Sequence, residues 1–154
     1  MAVNLFRPLA PGDWETSGGA EAAPVYDPED DEPVLDDAWP HLRLVYKLLL
    51  AYLESPALKP ALAARALSHA WVRQLLGLFA SGDPRERTYL KTALHRLYGR
   101  FVDLRLYVRQ RLALLFADFA HDGDRRHPGI AELLEVLGTY VFHAHAHAPP
   151  HTRK

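Results

Sequence analysis

The chain has 154 residues, of which 49% are hydrophobic and 24% are charged, and its formal net charge is −1. These values predict a single soluble globular domain with a core of moderate size. The absence of cysteine excludes disulfides, thiol catalysis and cysteine-ligated metal centres. The N-terminus lacks a secretory signal pattern and no apolar run approaches the roughly 20 residues of a membrane span, so we expect no membrane contact.

Residues 1–35 are predicted to form an extended acidic lead-in. Between Pro11 and Pro33 the sequence mixes proline, glycine, alanine and acidic residues, including the run DPEDDEP. Such a segment buries too little apolar surface to offset the entropy of ordering it. The acidic run is interpreted as a solvated tether, with docking on a basic partner as the alternative.

A helical period of apolar residues begins at Trp39 and ends before Pro56. Asp36 or Asp37 is the expected N-cap, and Pro40 lies in the first turn, where a missing N–H costs nothing. The predicted inner face of this helix consists of Trp39, Leu42, Leu44, Val45, Leu48, Leu49, Tyr52 and Leu53.

Two further helices are marked by their start signals. The second is predicted to open at Ser68 and to close at the Ser-Gly pair 81–82. The third begins with the stretch DPRE, in which Asp83 is the N-cap and Glu86 completes a capping box, and it runs to about Arg100.

A fourth and a fifth helix complete the predicted set. The fourth helix follows a break after Gly99. Its predicted core-facing side includes Val108, Leu112 and Phe119. The stretch HDGDRRHPG is predicted to be a loop, and the fifth helix runs from Ile130 to Phe142. Residues 143–154 are predicted to form a disordered tail rich in histidine and proline.

The spacing of these helices predicts the architecture. Helix pairs start near residues 39, 84 and 129, a repeat of about 45 residues, which is in the range of two-helix HEAT or armadillo-type repeats. Strand signals are absent. We therefore predict an all-α, HEAT-like or armadillo-type helical-hairpin solenoid of about two and a half repeats over residues 36–142.

Catalytic and metal-binding patterns are weak. The sequence has no glycine-rich phosphate loop and no G-x-S-x-G turn, so we expect neither enzyme activity nor a cofactor. The tail histidines could bind a metal, but an irregular tail gives no fixed geometry, so adventitious binding or none is the preferred interpretation. These histidines are His143, His145, His147 and His151.

The basic residues are concentrated in one stretch. Between residues 83 and 111, eight Lys and Arg residues face only three acidic residues. A solvated helix face is the simplest interpretation. However, His95, Arg96 and Tyr98 lie close together, and Arg105 opens the next helix. Arginine donors beside a phenol and apolar walls suit an extended peptide that carries an acid or a phosphate.

Four blocks of the sequence, in chain order, are more distinctive: VNLFRPL, DPEDDEPVLDDAWPHLRLVY, DPRERTYLKTALHRLYGRF and GIAELLEVLG. They resemble the B-prime family of regulatory subunits of protein phosphatase 2A. The resemblance implies a non-catalytic HEAT-like solenoid in signal transduction, which is expected in the cytoplasm and also in the nucleus. It implies binding to the scaffold and catalytic subunits of the phosphatase and recruitment of substrates through short L-x-x-I-x-E motifs.

The resemblance also implies a groove that binds these motifs. Its residues would be His95, Arg96, Tyr98, Arg105, Glu135, Val136 and Tyr140. Tyr98 and Val136, with the Arg96 stem, would line pockets for the leucine and isoleucine of the motif. The chain departs from the family at Tyr140, whose ring is larger than the β-branched aliphatic side chain usual there and could fill the space of the ligand.

The charged residues of the implied groove have separate roles. His95, Arg96 and Arg105 would supply a positive field that favours acidic or phosphorylated residues in the motif. Glu135 would orient a neighbouring base through an internal salt bridge.

Two other functions compete with this one. More than half of a full-length family solenoid is absent, so one alternative is a truncated fragment without function. The other is a nucleic-acid binder that uses the basic stretch, but aromatic stacking platforms and glycine-rich recognition loops are lacking. We therefore expect no nucleic-acid partner.

Overall fold

A computed structural model describes residues 2–9, 35–59, 63, 65–121 and 127–146, with side chains omitted at 2–3 and 141–146. All regular structure in these ranges is helical, which confirms the all-α prediction. The helices are α1 (Ala2–Leu5), α2 (Trp39–Glu54), α3 (His69–Gly77), α4 (Pro84–Arg100), α5 (Arg105–His121) and α6 (Ile130–Ala146). Two 3-10 turns, Leu78–Ala80 and Val102–Leu104, follow α3 and precede α5.

The ends of the helices agree with most of the sequence signals. Asp83 accepts a hydrogen bond from the backbone N–H of Arg85 at 2.8 Å, which confirms it as the N-cap of α4. Ser68, the predicted start of α3, accepts one from the backbone N–H of Trp71 at 3.2 Å and is the N-cap of that helix. Helix α6 ends at Ala146, four residues beyond the expected end at Phe142. Residues 147–154, like residues 122–126 of the expected loop, lie outside the described ranges.

The N-cap of α2 was predicted wrongly. Ala38 occupies this position and has no side-chain cap, whereas Asp36 lies two residues earlier. The Asp36 carboxylate accepts a hydrogen bond from the backbone N–H of Ala38 at 2.8 Å and also binds Arg7 at 2.6 Å. The Asp36 carboxylate therefore joins a local turn before α2 to an ion pair with a distant residue.

The capping box of α4 was also predicted wrongly. Glu86 is fully buried and does not reach back to the backbone of Asp83, whose N–H donates to Ser81 Oγ instead. The Glu86 carboxylate accepts hydrogen bonds from Arg7 at 2.8 Å and from the Tyr46 hydroxyl at 2.6 Å. Burial together with the Glu86 charge raises the pKa of Tyr46, so this hydroxyl stays a donor.

The hydrogen bonds of Glu86 also involve the N-terminal segment, which was predicted to be extended. Residues 2–9 do not belong to an extended lead-in, because α1 packs on α2 and the Leu5 side chain is fully buried. Arg7 then links this segment to Glu86 and Asp36, and these hydrogen bonds outweigh the effect of burial and raise the pKa of Arg7. Residues 10–34, which contain the acidic run, lie outside the described part of the chain.

The helices pack as two alternating rows. Helix α4 contacts α2 on one side and α6 on the other, while α5 contacts α3 and α6. One cluster of buried apolar residues connects these helices from Leu5 to Tyr140. The alternation fits stacked two-helix units, whereas the HEAT or armadillo type of repeat stays a prediction.

Some residues of the predicted inner faces lie outside. Leu44 and Leu48 of α2 are 60% and 59% exposed, and Phe119 of α5 is 38% exposed. Tyr46, which the periodicity had left out, is fully buried. The buried face of α2 is therefore rotated towards Tyr46, whose hydroxyl donates a hydrogen bond to Glu86 on α4.

Candidate functional site

A groove of about 390 Å³ lies between the neighbouring helices α4 and α6. It is lined by Lys91, Thr92, His95, Arg96, Glu135, Val136 and Thr139. The residues from each helix are spaced by one, three or four positions, so they share one side of the helix surface. The groove is therefore built from two rigid helices that pack on each other, and not from a loop.

Most of the groove wall is charged or polar. Lys91 Nζ donates a hydrogen bond to Glu135 Oε2 at 2.6 Å, which gives Glu135 the salt bridge to a neighbouring base that the resemblance implied. Arg96 Nε pairs with Glu54 of α2 at 2.9 Å, and both side chains are more than half exposed. Ion pairs this exposed contribute little to stability and can exchange for a ligand anion.

Two tyrosines stack on each other beside the groove. The rings of Tyr98 and Tyr140 are nearly parallel, with their centroids 3.5 Å apart, and the two residues are only 8% and 4% exposed. The Tyr140 hydroxyl donates to the backbone oxygen of Leu94 at 2.9 Å, and Arg109 donates to the Tyr98 hydroxyl at 3.0 Å. Burial raises the pKa of Tyr140, which keeps its hydroxyl protonated as a donor.

Arg105 is directed towards the end of α4. Its Nε donates to the backbone oxygen of Tyr98 at 2.8 Å and its Nη2 donates to that of Gly99 at 3.0 Å. The guanidinium also lies over the Tyr98 ring, 5.3 Å from its centroid. These bonds satisfy carbonyl groups at the helix end that have no partner within the helix.

The structure thus brings four of the seven candidate residues to the groove surface. His95, Arg96, Glu135 and Val136 line it, while Tyr98, Tyr140 and Arg105 do not.

Sequence reasoning left out three lining residues, Lys91, Thr92 and Thr139. All three carried a signal, because Lys91 and Thr92 precede His95 and Arg96 by four positions and Thr139 follows Glu135 by four, and residues so spaced are neighbours on a helix.

Most other bases of the stretch 83–111 hold the fold together. Arg87 pairs with Glu132 of α6 at 2.8 Å, and Arg100 donates to three backbone oxygens at the end of α2. Arg85 binds Asp83, the N-cap of its own helix, at 2.7 Å. The excess of bases over acids in this stretch therefore overstates the charge that is left for a ligand.

The described part of the chain gives no sign of a metal centre or a membrane span. No group of three or more metal-ligating side chains is found there. Among the described helices, none combines the length and the apolar character that crossing a bilayer requires. The side chains of the tail histidines, which could bind a metal, lie outside the part of the chain that the structure describes.

The sequence of the chain is similar to that of one known protein family. The sequence model of the family described as "Protein phosphatase 2A regulatory B subunit (B56 family)" matches residues 1–151. The chain belongs to this family.

Individual B56 relatives support the same assignment. The chain is 49% identical over 141 residues to the 56 kDa regulatory subunit delta isoform of serine/threonine-protein phosphatase 2A from Homo sapiens, with 92% of this chain and 22% of the relative covered. For the human alpha isoform the identity is 44%, covering 92% and 27%. For the regulatory subunit psrA of Dictyostelium discoideum it is 46%, covering 92% and 21%.

Two consequences follow from these relatives. All three are named as regulatory subunits and not as catalytic ones, which agrees with the expectation of a regulator without enzyme activity. The chain spans about a quarter of the length of the curated relatives that it matches.

Proposed function

We propose that this chain is a regulatory subunit of protein phosphatase 2A that recruits substrates by binding short acidic or phosphorylated motifs of the form L-x-x-I-x-E. The groove between α4 and α6 supports this proposal, because it places basic side chains along an open cleft between two packed helices. Within it, His95 and Arg96 lie next to each other on α4 and Lys91 lies one turn before them.

The chemistry of the groove suits an anion on an extended chain. An arginine guanidinium offers donors in a fixed fork that matches a carboxylate or a phosphate, and a lysine ammonium adds a point charge. Lys91 and Arg96 are both held in exposed ion pairs with Glu135 and Glu54, so their positions are defined before a ligand arrives. A ligand with more than one negative charge would displace these weak pairs at small cost.

The remaining bases favour a peptide groove over a nucleic-acid surface. Nucleic-acid affinity grows with the number of phosphates that free cations neutralise. Arg85, Arg87, Arg100 and Arg105 are already engaged with carboxylates or backbone carbonyls of the chain itself. Few cations of the stretch are therefore available for a polyanion.

A peptide titration tests the groove. A fluorescent acidic peptide with the L-x-x-I-x-E spacing is expected to bind, and Arg96→Ala is expected to weaken it about tenfold, since one charge-assisted contact is lost. Arg73→Ala is the matched control, because Arg73 is an exposed arginine on α3, away from the groove. Identical binding curves for the wild type and Arg96→Ala would reject the groove as the site.

A separate experiment tests the regulatory role. The tagged chain is expected to capture the scaffold and catalytic subunits of phosphatase 2A from cell extract, as detected by immunoblotting. Capture of neither subunit, in a chain that still binds the peptide, would reject the regulatory role and support the truncated fragment.

A further inference from the structure

The stacked tyrosines bear on which peptides the groove can take. An apolar anchor residue needs a pocket whose walls are free to contact it. Tyr98 and Tyr140 present their faces to each other at a centroid distance of 3.5 Å, which leaves no room for a side chain between them. Val136, the one aliphatic residue that lines the groove, is only 2% exposed.

The tyrosine stack is also fixed in place. Tyr140 donates its hydroxyl hydrogen to the Leu94 carbonyl of α4, and the residue is 4% exposed. Swinging the ring out to admit a ligand would break this bond and leave a buried polar group without a partner, which is costly. On the other side of the stack, Arg109 holds the Tyr98 hydroxyl and Arg105 covers its ring.

We infer that Tyr140 closes the apolar part of the groove, so that this chain selects peptides by their anionic groups and does not require a branched aliphatic anchor. The inference rests on the proposed function and changes its ligand class, because the isoleucine of the motif is no longer required. Apart from Val136, the side chains that line the groove are polar or charged: Lys91, Thr92, His95 and Arg96 on α4, and Glu135 and Thr139 on α6. Lys91 and Arg96 reach a ligand anion by exchanging their ion pairs with Glu135 and Glu54. The ligand is therefore an acidic or phosphorylated peptide in which the position of the isoleucine tolerates a small side chain.

Three labelled peptides test this by fluorescence anisotropy. The first is acidic and carries L-x-x-I-x-E, the second has alanine in place of the isoleucine, and the third has its acids replaced by amides. For the wild type, the first two are expected to bind within about twofold of each other, and the third about tenfold or more weakly. This comparison needs no variant.

Two substitutions at one position show whether the ring is the cause. Tyr140→Val removes the ring and is expected to give about a tenfold preference for the isoleucine peptide over the alanine peptide, since a buried branched side chain is gained. Tyr140→Phe loses the hydroxyl bond to Leu94 but keeps the ring buried in the stack on Tyr98, so it is expected to retain the wild-type selectivity. Circular dichroism at the assay temperature verifies that both variants are folded.

The possible results distinguish a failure of this inference from a failure of the proposed function. A tenfold preference of the wild type for the isoleucine peptide would overturn the inference and leave the proposed function intact. Equal binding of both peptides by a folded Tyr140→Val would also overturn it. If neither the wild type nor Tyr140→Val binds any peptide, the proposed function falls and takes the inference with it. Binding by Tyr140→Val alone would reject the proposed function for this chain but keep Tyr140 as the residue that closes the groove.

Discussion

At the scale of single residues, Glu86 is a charged residue buried in the interior of the described structure. Its side chain has no solvent exposure, and its carboxylate depends on Arg7 before α2 and Tyr46 within α2. A buried charge is tolerated only while its partners are in place, since removing one leaves the others desolvated and unpaired. Together with the buried Leu5 side chain and the pair between Arg7 and Asp36, this contact attaches the N-terminal segment to the rest of the fold.

Removal of Glu86 should therefore be strongly destabilising. We expect Glu86→Ala to lower the free energy of unfolding by about 2–3 kcal/mol, because the buried Tyr46 hydroxyl loses its acceptor and Arg7 keeps only Asp36. Glu135→Ala is the matched control, since it removes an exposed ion pair and should cost less than about 1 kcal/mol. Urea unfolding followed by circular dichroism measures both, and equal costs for the two variants would contradict this account.

Asp83 gives a prediction for acid stability. Burial opposes its ionisation, but hydrogen bonds from Arg85 and from the backbone N–H of Asp36 outweigh burial and hold its pKa below the ordinary value of 3.8. As the pH falls below about 4, the unfolded chain takes up the proton first, so the stability that this carboxylate supplies is lost towards its lower folded pKa.

The variant Asp83→Asn isolates this effect, because asparagine keeps the N-cap and cannot ionise. We expect the wild type to be more stable than Asp83→Asn at pH 7 by up to about 1 kcal/mol, and this difference to shrink below pH 4. Urea unfolding at pH 7, 5, 3.5 and 2.5 gives the two curves. A difference that stays constant over this range would show that the charge of Asp83 is not its source.

At the scale of elements, the start of α6 depends on one glycine. A Cβ atom at Gly129 would lie 2.2 Å from the backbone oxygen of Phe79 and 2.9 Å from its Cβ. The turn before α6 therefore packs directly on the 3-10 turn after α3, and no side chain fits between them. This close approach positions the N-terminal end of α6, and with it Glu132, against Arg87 of α4.

Two glycine substitutions should have opposite effects. Gly129→Ala is expected to destabilise the protein by about 1–3 kcal/mol, because the backbone of the 3-10 turn must move. Gly138→Ala, in the interior of α6, meets nothing within 4 Å and should stabilise the helix by up to about 1 kcal/mol. Thermal melting of the two variants checks the signs, and a stabilised Gly129→Ala would show that the turns are not in contact.

The sequence predicted the elements better than their faces. Prolines and N-cap residues are local signals, so the starts of α3 and α4 followed from Ser68 and Asp83. The choice between Tyr46 and Leu48 as the inner residue of α2 is not local, because it depends on Glu86 some 40 positions later. Periodicity counts apolar residues and cannot show which of them meets a buried carboxylate.

At the scale of the whole molecule, some features of the groove could be predicted from the sequence and others could not. Its basic wall could be predicted, since His95 and Arg96 are adjacent in the sequence. Its shape could not, because it depends on Tyr140 of α6 stacking on Tyr98 of α4 and on Arg105 turning back to the end of its neighbouring helix. Such contacts join residues from separate helices, and no spacing in the sequence records them.

The single buried cluster from Leu5 to Tyr140 predicts that the described helices unfold together. Trp39 on α2 and Trp71 on α3 report on the N-terminal half, whereas far-UV circular dichroism reports on all helices. In a Trp14→Phe background, which removes the tryptophan outside the described ranges, the two signals should give coincident urea transitions. An unstable fragment would give a broad change or aggregation instead.

A substitution at the far end sharpens this test. Leu133 of α6 is fully buried, and Leu133→Ala should lower the free energy of unfolding by about 2–5 kcal/mol. If the rows of helices form one cooperative unit, the tryptophan signal from α2 and α3 shifts to lower urea by the same amount as the circular dichroism signal. A shift in circular dichroism alone would mean that α6 unfolds separately, and the groove it shares with α4 would then open without unfolding the rest of the chain.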